Sequence, residues 1–157
     1  MLRHDPSHRG EVVAHLKSSG ACSAYIMHDG IPDASLRARL RLRRTSLNYH
    51  LYRLDVMNRM PNCLYCSNAH HDGVLEDAPI EDADHLLLHC SQYHTIRQQF
   101  IDSMHEKDMD ADIAFNLDNI LCSDQCIASL HSRQLRKDWI RMTEKYIVSI
   151  FHARGIL

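Results

Sequence analysis

Cys63, Cys66, His85 and Cys90 fall in the pattern C-x₂-C-x₁₈-H-x₄-C. Three thiolates and one imidazole are what a tetrahedral structural Zn²⁺ uses, and a site closed by four protein ligands leaves no position for a substrate. The expected role of such an ion is to organise a fold, not to perform chemistry. Two residues between Cys63 and Cys66 let a tight turn aim both sulfurs at one point. The second half of the pattern falls where a helix is expected to begin, capped by Asp82 or Asp84, with Leu86-Leu87-Leu88 apolar enough to be buried. On a straight α-helix, positions five apart lie about 140° around the axis. His85 and Cys90 therefore converge only if the helix ends or tightens near Cys90, which is the expectation here.

Other readings of these residues stay open at this level. The chain has six cysteines, which allows disulfides, although its first residues are too polar for a secretory signal and intracellular thiols stay reduced. Cys63 and Cys66 as a redox pair would need a βαβ context that the pattern lacks. His70, His71 and His89 compete with His85 for the fourth position. A retroviral-type knuckle, C-x₂-C-x₄-H-x₄-C, would use His71 but needs a cysteine where Glu76 stands. Cys22, Cys122 and Cys126 read as buried or free thiols. Cys122 and Cys126 are close enough in sequence to reach one metal, but no histidine pair completes a four-ligand set.

The 157 residues allow one domain with a moderate core. The formal net charge of −2 hides opposite blocks. Residues 37–59 hold seven arginines and one acid, whereas residues 72–84 hold six acids and no lysine or arginine. No apolar run reaches the ~18 residues of a membrane span. A soluble, intracellular protein with no membrane partner is expected, nucleus and cytoplasm not being distinguished.

Hydrophobic spacing predicts an all-α fold: a small helical domain stapled by one structural zinc site, with a long C-terminal amphipathic helix. Residues 1–33 form a poorly defined N-terminal segment, in which residues 11–17 read as a short helix and residues 24–27 as a strand or helical turn. Residues 34–106 form the zinc-binding helical module. Within it, Leu36, Leu40, Leu47, Leu51 and Leu54 predict helices over about 34–44 and 46–57, with Thr45-Ser46 capping the second. Residues 67–82 read as a solvated loop, followed by helices over about 81–90 and 93–105. Residues 107–122 read as an acidic, solvated linker; Asp108, Asp110 and Asp112 alternate as in a calcium loop but lack its glycine and closing glutamate. Residues 123–157 read as one helix packing on the module, its face traced by Ile127, Leu130, Leu135, Trp139, Met142, Tyr146, Ile150 and Phe151 and stopped by Gly155. The Leu86-Leu87-Leu88 run is expected to pack on Leu47, Leu51 and Leu54. No internal repeat is detectable.

The ordered set Leu40-Arg41-Leu42-Arg43, Leu47-Asn48-Tyr49-His50-Leu51-Tyr52-Arg53, Cys63-Leu64-Tyr65-Cys66 and Asp84-His85-Leu86-Leu87-Leu88-His89-Cys90 resembles a known region. It is the C-terminal zinc-binding (CCHC) segment of non-long-terminal-repeat retrotransposon reverse transcriptases. Tyr93, Arg97 and Phe100 continue the similarity in register, and the closing residues 148–157 are similar to the end of those polyproteins. The resemblance implies Cys63, Cys66, His85 and Cys90 as zinc ligands. Two departures stand out: Thr45-Ser46 replaces the Gly-His pair after the arginine-rich helix, and the Cys66-to-His85 spacer is long.

Catalytic motifs are absent from the sequence. There is no Y-x-D-D for a polymerase, no strand-borne acids for the two-metal chemistry of an RNase H, no acid-x-Lys endonuclease core, and no cysteine with an orienting partner. A non-enzyme is expected. Arg37, Arg39, Arg41, Arg43, Arg44 and Arg53 are expected to pair with phosphates, with Tyr49 and Tyr52 stacking on unpaired bases. The expected partners are thus RNA or DNA and the parent reverse transcriptase, with no small-molecule substrate. The same arginines equally describe a solvated helix face, or partners of the acidic 72–84 block. A second reading is a degenerate or domesticated remnant that packs only against a protein, which the near-neutral overall charge favours.

Overall fold

The helices of this chain are defined as much by how they stop as by how they start. The computed structural model describes residues 24–27, 30–55, 60–67, 78–109 and 113–155. Helix α1 spans Ile31–Arg41, α2 Asn48–Arg53, α3 Leu64–Ser67, α4 His94–Glu106, α5 Leu117–Ile120, α6 Asp124–Ser129 and α7 Arg133–Ala153. Short 3₁₀ turns occupy Ala24–Met27 and Ser91–Tyr93, and a π turn occupies His85–His89. Among the described residues there is no strand, only an isolated antiparallel bridge between Asn62 and Ile80. The all-α expectation holds.

Helix α1 begins earlier than the boundary expected at residue 34, because Pro32 lies in its first turn, where a fixed φ helps and a missing N–H costs nothing. Asp33 near its start and Arg39 and Arg41 near its end complement the helix dipole. It stops at Arg43, whose φ of 52° is left-handed. Arg43 N donates to Leu40 O and Arg44 N to Arg39 O, the paired bonds of a Schellman stop. Asp108 and Cys122, at φ 58° and 54°, end α4 and α5 through the same pair of bonds. Glycine usually takes this position; among the described residues only Gly155, at the end of α7, does. Relieving the strain with Arg43→Gly is expected to raise stability by up to about 1 kcal/mol, read by urea unfolding.

Helix α2 is shorter than expected. Thr45 and Ser46 do not cap it; its N-cap is Leu47, without a side-chain bond. Thr45 Oγ1 instead meets His50 Nδ1 at 2.6 Å. Burial holds the His50 pKa down to about 4 from 6.5, with Asp82 opposing the shift and Arg43 and Arg53 adding to it. The folded imidazole therefore stays neutral while the unfolded one takes a proton below about 6.5. Stability is expected to fall as pH drops from about 6.5 to about 4, by at most ~3 kcal/mol, and no further below. The difference in unfolding free energy between the parent and His50→Gln, followed across that window, isolates this group.

Helix α7 packs against both α1 and α4. Its buried residues Trp139, Ile140, Thr143, Tyr146, Ile147, Ile150 and Phe151 recur every three or four positions. Phe100 of α4 stacks on Tyr146 at 4.5 Å and meets Trp139 at 5.8 Å and Phe115 at 5.9 Å. Trp139 Nε1 donates to Asn119 O at 2.9 Å.

Two expectations for the second half are corrected. The long helix over 123–153 is two helices: Ser123 Oγ caps α6, buried Leu130 is extended, and Ser132 Oγ caps α7 by accepting from Leu135 N at 2.9 Å. The described residues of 107–122 do not form a solvated linker, since Met109, Ile113, Ile120, Leu121 and Cys122 are all buried in the core. The leucine packing is also only partly as expected. Leu86, Leu87 and Leu47 share the core, but Leu51 and Leu88 are half-buried and Leu54 is 44% exposed. Residues 1–23, which include the expected helix over 11–17, and residues 68–77 lie outside the described residues.

Candidate metal centre

Cys63 enters α3 through a small lattice. Its N–H donates to Pro79 O at 2.8 Å, Glu81 N donates to Pro61 O at 2.8 Å, and Asn48 Nδ2 donates to Asn62 O at 2.9 Å. Ser67 closes the turn onto Cys63 O through both its N–H and its hydroxyl. The Cys63 and Cys66 thiols thereby face the opposite arm, which Asp82 starts by accepting from His85 N at 2.8 Å.

That arm does end at Cys90, but it widens where tightening was expected. Cys90 N donates to His85 O at 2.7 Å, an i→i+5 bond that defines a π turn. Closing a ring between residues five apart stacks one above the other, so His85 and Cys90 reach the same side. Buried Arg97 braces the turn: its Nε donates to Leu87 O at 3.2 Å and its Nη2 to Cys90 O at 2.7 Å. The Tyr146 hydroxyl also donates to Leu87 O, and Arg154 pairs with buried Glu81. Sequence reasoning gave these three residues no supporting role. The available signal was Arg97 at helical spacing with Phe100 and Met104, a cation on an otherwise apolar face.

The four side chains converge. Their ligand atoms all lie within 4.8 Å of one another, close enough to hold one metal ion. Cys63 Sγ and Cys66 Sγ are each 3.8 Å from Cys90 Sγ, and Cys66 Sγ is 3.5 Å from His85 Nε2. A tetrahedron with metal–sulfur bonds of ~2.3 Å and a metal–nitrogen bond of ~2.0 Å separates sulfurs by ~3.8 Å and sulfur from nitrogen by ~3.5 Å. These three separations fit that polyhedron. Cys63, His85 and Cys90 are buried and Cys66 half-buried, so a captured ion is largely shielded from water.

Without an ion, burial favours the protonated thiols at two of the three cysteines. Burial pushes Cys63 up and drives Cys90 up to about 12, with the neighbouring thiols contributing. Burial also pushes Cys66 up, but hydrogen bonds from Ser91 and the other two cysteines outweigh it and leave that thiol below its ordinary value. Burial holds His85 down despite Asp82, which keeps the imidazole in its ligating neutral form. A divalent cation relieves the crowding by stabilising thiolates. His89 is exposed and meets Asp84 at 3.2 Å, so it is no ligand here; His70 and His71 lie outside the described residues. Cys122 and Cys126 are buried and in no disulfide, the Cys122 sulfur accepting from Arg37, and Cys22 lies outside the described residues.

The arginines expected on phosphate divide. Arg37 is 1% exposed and its guanidinium donates to Ile120 O, Thr143 Oγ1, Cys122 Sγ and Ile140 O, so it holds α1 to α5 and α7 and cannot reach a phosphate. Arg41 is also buried, over the Tyr25 ring. Both expectations are corrected by their helical spacing onto the core-facing side. Arg39, Arg43 and Arg44 are exposed; Arg53 is half-buried over the half-buried Tyr49 ring, and Tyr52 is 46% exposed. No described helix is long and apolar enough to cross a membrane. Comparison of the chain with protein-family models, curated proteins and solved structures finds no match.

Proposed function

We propose that this chain is a non-catalytic, zinc-stapled module that binds single-stranded or structured nucleic acid, of the kind found at the C-terminus of the retrotransposon reverse transcriptases it resembles. Zinc is the ion favoured by three thiolates and one imidazole in a closed tetrahedron. The observation that carries the binding role is the cluster of exposed Arg39, Arg43 and Arg44 around the end of α1. None of the three pairs with a carboxylate among the described residues. Tyr52 adds an exposed ring for a base to stack on.

Filter binding of a single-stranded oligonucleotide at graded salt tests this. Affinity is expected to fall with salt, and Arg44→Gln to reduce the slope by about 0.7–1 counterion. No retention at low salt sinks the proposal. A second reading, a protein-docking remnant, is favoured by the exposed apolar residues Met60, Leu64, Tyr65 and Ile80 near the metal turn. It predicts no retention of nucleic acid at any salt.

A further inference from the structure

A cavity of about 230 Å³ opens between α1, the turn that follows it, and α7, and none of the four metal-cluster residues lines it. Its walls divide by chemistry. Pro32 and Leu36 are apolar, with fully buried Phe151 behind them, while Ser35, Ser46 and Arg39 supply two hydroxyls and a guanidinium. Thr45 also lines it, but its hydroxyl is engaged by His50. No acidic side chain contributes to the lining.

The polar groups are available to a ligand. Ser35 and Ser46 are half-buried, and their hydroxyls make no hydrogen bond with a described residue. Arg39 is exposed and has no ion pair among the described residues. An apolar wall beside a lone guanidinium selects an anion that carries a flat, weakly polar body. The volume sits below the ~300 Å³ at which drug-sized pockets begin, which suits one ring system with its phosphate. Arg43 and Arg44, exposed on the turn that forms one wall, extend the positive charge beyond the cavity, as a polyanion would require.

We propose that this cavity holds one nucleotide unit, its base against Pro32 and Leu36 and its phosphate on Arg39. The base edge meets the Ser35 and Ser46 hydroxyls, each of which both donates and accepts. In a bound strand this is a splayed-out nucleotide whose neighbouring phosphates meet Arg43 and Arg44, and that extension rests on the nucleic-acid reading above. Such a pocket reads a base by its edge and face, as single-strand binders do. It would give the module a preference at one position within otherwise sequence-tolerant binding.

The test uses the full zinc-loaded chain, with AMP, adenosine and inorganic phosphate as calorimetric probes and a single-stranded oligonucleotide carrying one 2-aminopurine. AMP is expected to bind at least about ten-fold more tightly than either adenosine or phosphate. Ser35→Met fills the cavity without changing charge, and should weaken AMP at least about ten-fold while leaving the salt slope of oligonucleotide binding unchanged. Ser46→Leu, made on the opposite wall, should do the same, and thermal melts establish that both variants are folded. AMP binding that survives both substitutions, phosphate binding as tight as AMP, or no AMP binding by the parent each overturn the proposal. Oligonucleotide retention without AMP binding or 2-aminopurine quenching sinks the cavity alone. AMP binding without oligonucleotide retention at low salt upholds the cavity and sinks the nucleic-acid reading.

Discussion

Removing the metal with a chelator, or replacing Cys63 with Ser, is expected to unfold the region from α2 through the π turn. The reason lies in how little else holds the Cys63–Ser67 arm. Helix α3 is four residues long and buries none of its side chains, and the two arms of the site are joined by an isolated bridge and one side-chain bond, from Asn62 Nδ2 to Ala78 O. Structural zinc in small modules contributes on the order of 10 kcal/mol of apparent binding free energy, which becomes folding free energy when the apo site has no stable form. Loss of the ion should therefore cost several kcal/mol overall. The aromatic packing of Phe100, Trp139 and Tyr146 joins α4 to α7 without a metal ligand, so Trp139 emission should change less than amide exchange across residues 60–67 and 85–90. Metal analysis should find one zinc per parent chain and none bound by Cys63→Ser. Unchanged exchange in the chelated protein would sink the assignment.

Arg37→Gln is expected to be among the most damaging single changes away from the metal. The guanidinium is buried and donates to the carbonyls of Ile120 and Ile140 at 2.8 and 3.1 Å and to the Thr143 hydroxyl at 3.0 Å. Shortening it strands the buried Ile120 carbonyl and weakens the tie to Ile140 O, which keeps the Thr143 hydroxyl, at about 1–3 kcal/mol in total. Arg39→Gln, one turn-face away and exposed, should change stability by no more than about 0.5 kcal/mol. Urea unfolding of the two variants makes the comparison. If Arg37→Gln leaves stability intact and instead lowers nucleic-acid binding, the structural role given to Arg37 is wrong.

The contrast between these neighbours shows what was legible in the sequence. Ligand chemistry was: Cys63, Cys66, His85 and Cys90 announce themselves by type and spacing, and the structure brings their donor atoms together. The core-facing positions of α7 were legible too, because a three-and-four repeat of apolar residues survives any detail of packing. Arginine was not, because its type reads as surface while its position in α1 places Arg37 and Arg41 inward and Arg39 outward. Helix ends were the other blind spot. Arg43, Asp108 and Cys122 stop their helices in a conformation that glycine usually advertises, so nothing in their identity marks a boundary. Ser132 did offer a cap signal, but the apolar stripe running across Leu130 concealed it. The core residues of 109–122 were masked for a similar reason, as isolated apolar side chains among acids lack the periodicity that identifies a buried face.

The widened turn at His85–His89 makes the ligand pair a gauge of backbone register. In ordinary α-helical winding the residue stacked on His85 is His89, not Cys90. A chain without its ion that relaxed to that winding would swing the Cys90 sulfur out of the site, so reloading would require rewinding the backbone as well as capturing a cation. Deleting one of the three leucines between the two donors would bring them into normal helical stacking. Such a shortened chain should recapture zinc faster than the parent, with ion uptake no longer tied to a change of pitch.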